Sequence, residues 1–165
     1  MSESTIQGFH RNSLKSFMAY NTCFQRLVDR AFQKLSEKYE LKRPLCYSHN
    51  YILQTIYYQE KPLTLAEISR RSGQKLPNVS VAANALRENE LIVCRQLETD
   101  KRKYSVTLSE KGKALCDEYI QECLIPINKV LWKGTTPEER DQLHRTLTQL
   151  EENARECMRQ MDLAE

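Results

Sequence analysis

Cysteine and histidine are the residues of this chain that could ligate a metal or act as nucleophile and base. The six cysteines stand at positions 23, 46, 94, 116, 123 and 157, with no Cys-x-x-Cys pair and no histidine at ligand spacing. The three histidines, at positions 10, 49 and 144, do not assemble on one helix face. Because zinc binding and catalysis need such clusters, we expect no metal, no cofactor and no enzyme. Free thiols, mostly buried, are the expectation in a reducing compartment.

Charge is the second chemical feature. Residues 1–43 carry eight basic and four acidic groups, residues 44–112 carry ten and seven, and residues 113–165 carry seven and eleven. A basic N-terminal part and an acidic C-terminal part fit a protein that binds phosphate groups through one end. Ordinary solvent-exposed faces would give the same charge gradient.

Length and composition set the class of protein. A chain of 165 residues suits one ordinary domain or one domain with a dimerising extension, and 4 Gly and 5 Pro favour a helix-rich globular fold. No apolar run approaches the roughly 20 residues that cross a bilayer, and the N-terminus lacks a basic start followed by an apolar stretch. We therefore expect a cytoplasmic protein with no membrane partner.

The periodicity of apolar residues predicts a long amphipathic helix over 14–39 and a second helix that Lys61 and Pro62 end. A capping box, T-L-A-E at 64–67, begins a short helix that runs to about residue 71. Gly73 suits the left-handed conformation after a helix, and Pro77 begins the next helix, which runs to about residue 89. Two short helices joined by a turn with glycine indicate a helix-turn-helix.

A hairpin and further helices complete the prediction. The runs LIVCRQL and YSVTL flank the charged run ETDKRK, which predicts an antiparallel hairpin with a charged tip in solvent. Ser109 is expected to cap another helix, which Pro126 would kink. A second capping box, T-P-E-E at 136–139, begins a last helix whose apolar stripe requires a partner helix. That stripe comprises Leu143, Leu147, Leu150, Ala154, Cys157 and Met161. The fold class is mainly α with a small β-hairpin wing.

The segment DKRKYSVTLSEKG, residues 100–112, carries a family resemblance. It resembles the wing motif of the MarR family of bacterial winged-helix regulators, with Asp100, Arg102, Leu108, Ser109 and Gly112 at the matching positions. The order of elements is similar over nearly the whole chain, and GTTPEERDQL is similar to the start of the family's last helix. The resemblance implies a winged helix-turn-helix in residues 44–112, with dimerisation helices in residues 1–43 and 113–165.

The resemblance also implies a function. Such a protein is a homodimeric, sequence-specific regulator of transcription, here expected to be a repressor, whose two winged heads meet successive major grooves of a pseudo-palindrome in double-stranded DNA. By the same resemblance, Asp100 would pin Arg102 through an ion pair, and Arg102 would enter the minor groove. Lys101 and Lys103 would contact phosphates.

The second helix of the helix-turn-helix is expected to read bases. Its inward face is predicted to be Val79, Ala83 and Leu86, and its outward face is predicted to include Ala85 at the margin. Asparagine can pair with adenine, and serine with several base edges. Relative to the family pattern, Lys75 stands where Ser or Thr is expected, and Glu90 replaces a glycine. The candidate DNA contacts on this helix are Lys75, Asn78, Ser80, Val81, Asn84 and Arg87.

Two regulatory devices follow from the resemblance, and both stay open. A small aromatic ligand could lie in a crevice between the first two helices, although core or surface packing would also explain the aromatic residues there. Cys23 could instead be a redox sensor, with Tyr20 one turn before it and Arg26 one turn after, or a buried structural cysteine. The residues that would line the crevice are Tyr20, Tyr39, Tyr47, His49, Tyr51 and Tyr57.

A rival function is a winged helix that binds an acidic protein partner and reads no DNA sequence. It stays open because the outward face of the second helix carries no arginine before Arg87.

Overall fold

The computed structural model describes residues 3–96 and 104–161. The chain divides into two compact units, Met1–Cys123 and Leu124–Glu165. The elements of the first unit are α1 (Glu3–Lys38), α2 (Tyr47–Tyr57), β1 (Leu63–Thr64), α3 (Leu65–Ser72), α4 (Leu76–Glu88), β2 (Ile92–Gln96), β3 (Tyr104–Leu108) and α5 (Glu110–Glu118). A π-helical segment, Tyr119–Leu124, follows α5 directly, and the second unit contains α6 (Ile125–Leu131) and α7 (Pro137–Gln160). The predicted fold class, mainly α with a small wing, is confirmed.

Two predicted helix boundaries are wrong. The first helix begins at Glu3 rather than Leu14, because no proline interrupts residues 3–13 and a nucleated helix extends residue by residue. The second helix ends at Tyr57 rather than at Lys61. Pro62 disfavours the helical conformation at Lys61 only, so it sets an outer limit for the helix and not the position of its end.

Both predicted capping boxes are present. The Thr64 hydroxyl accepts from the backbone N–H of Glu67 at 3.3 Å, and the Glu67 carboxylate accepts from the backbone N–H of Thr64 at 2.7 Å. These hydrogen bonds from Thr64 hold the pKa of Glu67 below its usual value. Thr136 and Glu139 make the same pair of bonds at the start of α7, at 3.2 and 2.8 Å. Each box satisfies amides that a helix N-terminus leaves unpaired.

The core of the first unit joins the helix-turn-helix to the two helices before it. Fully buried side chains come from every helix of the unit, and the polar Asn89 is buried among them. The Asn89 side chain accepts from the backbone N–H of Arg43 at 3.1 Å and donates to the Arg43 carbonyl at 2.8 Å. An ion pair at 2.7 Å links Arg43 to Glu88 at the same place. The turn after α1 is thereby fixed to the end of α4.

The wing is the hairpin of β2 and β3, which β1 extends to a three-stranded antiparallel sheet in the order β1-β3-β2. Ile92 is opposite Leu108 and Gln96 is opposite Tyr104, so the predicted hairpin is confirmed. Strand β1, which the sequence reading missed, pairs Leu63 with Val106.

A close backbone contact fixes the base of the wing. The Leu91 carbonyl accepts from the Ser109 backbone N–H at 3.0 Å, and the Ser109 hydroxyl donates to the Glu90 carbonyl at 2.6 Å. A Cβ atom at Gly112 would lie 1.9 Å from the Leu91 carbonyl oxygen. The second half of the 100–112 motif therefore builds the wing: Leu108 pairs, Ser109 caps α5, and Gly112 leaves room for Leu91.

Glu90, where the family pattern has glycine, adopts a left-handed backbone conformation with φ of 61°. This conformation costs a residue with a Cβ about 1–2 kcal/mol. We expect Glu90→Gly to raise the free energy of unfolding, measured by urea titration, by about 1 kcal/mol. Glycine relieves the backbone strain in the folded state, but part of this gain is lost because glycine also increases the conformational entropy of the unfolded chain. Glu152→Gly, at an exposed position in the interior of α7, is the control and should lower it by about 1 kcal/mol. Equal losses in both variants would refute the strain at Glu90.

The second unit is a helix pair. The Arg140 guanidinium lies 5.8 Å from the ring centroid of Trp132 and donates to the carbonyls of Trp132 and Thr135, which holds the turn between α6 and α7. Leu143, Leu147 and Leu150 of α7 are 43%, 39% and 56% exposed. Within the part of the chain that is described, no helix combines the length and apolar character needed to cross a membrane.

Candidate nucleic-acid interface

The helix-turn-helix is built by α3 and α4. Gly73 adopts the left-handed conformation, with φ of 66°, and ends α3, while Pro77 stands in the first turn of α4. Val79, Ala83 and Leu86 are buried, as predicted, and anchor α4 through one face. Ala85 is only 6% exposed, so its predicted place at the outward margin is wrong. Its methyl is small enough to pack beside Leu86 in the turn that meets the core.

The outward face of α4 is polar with one methyl-rich centre. Asn78 and Asn84 are exposed, and Val81 between them is 69% exposed. Ser80 is half-buried, and its hydroxyl donates to the Leu76 carbonyl at 2.9 Å, which leaves the oxygen mainly as an acceptor. This face offers amide donors and acceptors together with an apolar contact, the groups that read base edges in a major groove.

The ends of α4 carry its positive charge. Lys75 precedes the helix and is exposed, and its side chain makes no capping hydrogen bond. Arg87, in the last turn, donates to Asn84 Oδ1 at 3.3 Å. That contact orients the Asn84 amide so that its NH₂ group points away from Arg87. The two cations flank the polar face in the way that phosphate contacts flank base contacts.

The charged tip of the wing lies outside the described residues, and with it Asp100, Lys101, Arg102 and Lys103. Gln96 and Tyr104 form the last described pair of the hairpin, and both are exposed. The roles assigned to the four tip residues stay predictions.

A groove of about 910 Å³ lies between α3, α4 and β3. Arg70 of α3, Ser80 of α4 and Tyr104 of β3 line it, and Arg70 and Tyr104 are exposed. The sequence reading missed Arg70 and Tyr104. The sequence carries only indirect signals for them. Arg70 is a basic residue on the first helix of the helix-turn-helix, and Tyr104 directly follows the basic run of the wing.

The six candidate ligand-pocket residues separate into two groups. Tyr20, Tyr47 and Tyr51 come together around Phe24: the Tyr47 hydroxyl donates to that of Tyr51 at 3.0 Å, and the Phe24 ring packs against Tyr20 and Tyr47. Burial raises the pKa of Tyr47 well above its usual value. His49 lies on the same helix, and its Nδ1 accepts from the Cys46 backbone N–H at 3.1 Å.

Tyr39 and Tyr57 face α5 instead. The Tyr39 hydroxyl donates to Glu118 at 3.2 Å, and the Tyr57 hydroxyl donates to Asp117 at 2.5 Å. The hydrogen bond to Asp117 raises the pKa of Tyr57 to about 12. The two phenols therefore link the end of α1 and the end of α2 to α5 by hydrogen bonds. That all six residues line one ligand pocket stays a prediction.

The cysteines differ from expectation. Only Cys116 is buried among the six thiols, whereas Cys23, Cys46 and Cys157 are exposed, so the prediction that most are buried is wrong. Cys23 lies on a part of α1 that the core of the single chain does not cover, and a buried structural role for it stays a prediction. Its service as a redox sensor stays a prediction.

Comparison with known proteins was made by sequence first. No protein-family model matches the chain. Uncharacterized HTH-type transcriptional regulators from the Staphylococcus aureus strains Mu50, N315 and COL are each 36% identical to it over 88 residues. The match covers 53% of this chain and 60% of each of those proteins.

Solved structures extend the comparison over most of the chain. The S. aureus MepR–DNA complex covers 83% of this chain and 96% of its own, with a TM-score of 0.68 and 20% identity. A MarR-family regulator from Streptomyces coelicolor in complex with DNA covers 88% of both chains, with a TM-score of 0.76 and 15% identity. S. aureus MarR in complex with salicylate and kanamycin covers 90% of this chain and 96% of its own, with a TM-score of 0.67 and 24% identity.

These likenesses define the fold. The chain has the winged helix-turn-helix fold of MarR-family transcriptional regulators, with α4 as the second helix of the motif and β2 and β3 as the wing.

Proposed function

We propose that this chain is the subunit of a homodimeric MarR-family regulator that binds a pseudo-palindromic site in double-stranded DNA and represses transcription. The observation that carries the proposal is the two-sided character of α4. One face is buried in the core, whereas the other presents Asn78, Val81 and Asn84 to solvent beside a two-stranded wing. Two of the similar structures are themselves DNA complexes.

The exposed face of α4 fits the major groove. The groove is about 12 Å wide and admits one helix, whose polar side chains then reach base edges. The Asn84 amide can donate to N7 or O6 acceptors and accept from an adenine N6 amine, and the Val81 methyls can contact a thymine methyl. Ser80 can accept through the lone pair that its bond to Leu76 leaves free.

Positive charge supplies affinity without sequence preference. Lys75, Arg87 and Arg70 are exposed on the elements around α4, and the wing tip adds Lys101, Arg102 and Lys103. Each phosphate contact releases condensed counterions, so the affinity should fall steeply as salt rises. In the proposed complex Asp100 pins Arg102, and the guanidinium enters the minor groove.

Two variants separate base reading from backbone binding. We expect Asn84→Ala to weaken the cognate site by about 1–3 kcal/mol relative to random DNA, because it removes a base contact. Arg102→Ala should weaken binding to all duplexes and reduce the slope of log affinity against log salt by about 1. Fluorescence anisotropy at several salt concentrations measures both.

Lys133→Ala is the control for lost charge, because this exposed residue belongs to the second unit and is part of neither α4 nor the wing. It should leave affinity and salt slope unchanged. If Arg102→Ala behaves like Lys133→Ala, the wing assignment is wrong. If neither Asn84→Ala nor Arg102→Ala changes the affinity for DNA, the alternative that the winged helix binds a protein partner replaces the present proposal.

Dimerisation and an effector complete the proposal. The exposed leucines of α7 and the exposed Phe17, Met18 and Tyr20 of α1 are apolar surfaces that a second copy of the chain would cover. The ligand that relieves repression is proposed to be small and aromatic, held near the cluster of Tyr20, Tyr47 and Tyr51. The S. aureus MarR structure similar to this chain is in complex with salicylate.

A further inference from the structure

Two polar side chains hold the ends of α4 to the connection between α1 and α2. At the end of α4, the Asn89 carboxamide accepts from the Arg43 backbone N–H at 3.1 Å and donates to the Arg43 carbonyl at 2.8 Å. Before the start of α4, the Gln74 side chain donates through Nε2 to the Ser48 carbonyl at 3.2 Å. One short stretch of chain, residues 43–48, therefore bonds to both ends of the helix, and we name it the bridge segment.

The bridge segment is also attached to α1. The hydroxyl of Ser36, a buried residue of α1, accepts from the Leu45 backbone N–H at 2.9 Å. Asp29, further back on the same helix, accepts from the Tyr47 backbone N–H at 2.6 Å. Leu45 itself is buried. The bridge segment thus connects α1 with both ends of α4.

Asn89 is chemically suited to such a connection. Its side chain is only 2% exposed, and a buried amide keeps its hydrogen bonds because water does not replace them. Two bonds to the backbone of one residue fix both the position and the direction of the amide group. An aliphatic side chain could be buried equally well but could not bond to Arg43. Burial alone therefore does not account for a carboxamide at this position.

The buried face of α4 leaves the direction of the helix to be set by other contacts. Three of its five buried residues are alanines, at positions 82, 83 and 85. Apolar contacts stabilise a helix without directional preference, and methyl groups form only shallow ridges that interlock weakly with a neighbouring helix. The hydrogen bonds at the two ends of α4 are directional. Two attachment points, one at each end, fix the angle of the helix on the core.

We propose that Asn89 and Gln74 are positioning residues, which set the angle between α4 and α1 through the bridge segment. The proposal rests on the proposed function for its consequence, because α1 is assigned to the dimer interface and α4 to the major groove. In a two-fold dimer, the angle between each α4 and its own α1 determines the distance and rotation between the two α4 helices. The two residues thereby select the half-site spacing that the dimer accepts.

Duplexes that carry the same two half-sites at different spacings test this consequence. One added base pair rotates a half-site by about 35° and moves it by about 3.4 Å. We expect the natural chain to bind its preferred spacing at least about tenfold more tightly than a spacing one base pair longer or shorter, because one head then loses base contacts. Fluorescence anisotropy measures each affinity.

The variants should relax this preference. Asn89→Ala should reduce it to about threefold or less, because the two hydrogen bonds that it removes are together worth about tenfold. Gln74→Met keeps the length of the side chain but removes its donor, and it should reduce the preference by about twofold to threefold, through the loss of one bond.

Glu88→Gln is the matched control. It removes the exposed ion pair with Arg43, 2.7 Å long, and leaves the hydrogen bonds of Asn89 in place. Exposed ion pairs contribute little, so the spacing preference should persist. A duplex with a single half-site is the second control. Every variant should bind it like the natural chain, because the outward face of α4 is unchanged, whereas a variant that only loses stability would bind all duplexes more weakly by the same factor.

A measurement without DNA separates this proposal from the proposed function. Nitroxide labels on ketone-bearing residues in place of Lys34 of α1 and Val81 of α4, both exposed, report the distance between the two helices by double electron–electron resonance. Mixing with excess unlabelled chain restricts the measurement to distances within one chain. We expect a narrow distribution in the natural background and in Glu88→Gln, and a wider one in Asn89→Ala and Gln74→Met.

The outcomes distinguish the two proposals. Asn89→Ala leaves two backbone groups of Arg43 without partners, so Gln74→Met, at a half-buried side chain with one such bond, decides the test if that variant does not fold. The positioning role is overturned if the natural chain binds all spacings equally, or if the folded variants keep both its spacing preference and its distance distribution. A chain that binds no duplex, with a distribution that widens in the variants, would refute the DNA function and leave the role of the bridge segment standing.

Discussion

Gly112→Ala is expected to lower the free energy of unfolding by about 3 kcal/mol or more, because the new methyl meets backbone rather than a side chain that can move. An alanine Cβ would lie 1.9 Å from the Leu91 carbonyl oxygen and 2.8 Å from its carbon. That carbonyl accepts the Ser109 N–H, so shifting it would break the contact at the base of the wing. Urea unfolding monitored by circular dichroism measures the loss.

Gly73→Ala is the matched control, since it makes the same chemical change at a position with nothing within 4 Å of the added Cβ. Its positive φ alone should cost about 1 kcal/mol. The difference between the two variants isolates the steric contact with Leu91. Equal losses would mean that the contact is relieved by a small shift and that the wing base is not fixed in this way.

Leu147→Glu should convert the proposed dimer to monomers. The side chain lies in the centre of the leucine stripe of α7 and is 39% exposed in the single chain. Burying a carboxylate in an apolar interface without a partner should cost about 3 kcal/mol, roughly a hundredfold in the dimer dissociation constant. Sedimentation equilibrium across a range of concentrations measures that constant.

Gln149→Glu adds the same charge two residues further along α7, on the opposite face of the helix. The dimer should persist in Gln149→Glu, although α7 carries one additional negative charge in this variant as in Leu147→Glu. Weaker DNA binding should accompany the loss of the dimer in Leu147→Glu, because one winged head then contacts one half-site. A natural chain that is monomeric at high concentration, or a Leu147→Glu variant that dimerises like Gln149→Glu, would refute the α7 interface.

Local signals made much of the fold predictable from sequence. The two capping boxes, the left-handed Gly73, the buried face of α4 and the antiparallel hairpin all depend on residues close together in the chain. Within the wing motif, Leu108 ends the hairpin and Ser109 begins the next helix, as predicted, whereas Asp100 and Arg102 lie outside the described residues. Gly112 could be recognised as a position of that motif. The close approach of the Leu91 carbonyl, which requires a glycine there, is visible only in the tertiary structure.

Contacts between distant segments were not predictable. Strand β1 forms because Leu63 pairs with Val106, and Asn89 is buried because it bonds both backbone groups of Arg43. The same limit applies to the aromatic candidates. From the sequence, Tyr39 and Tyr57 were grouped with the other tyrosines in one crevice, whereas in the structure they donate hydrogen bonds to acidic residues of α5.

Selection of duplexes from a random pool by the full chain, followed by sequencing, tests the central claim most directly. Two copies of α4 related by a two-fold axis predict an enriched pseudo-palindrome with half-site centres about 10–11 base pairs apart. Binding to that sequence should fall steeply between low and moderate salt. No enrichment, together with no duplex binding at about 50 mM salt, where phosphate contacts are strong, would contradict a DNA-binding function for this winged helix.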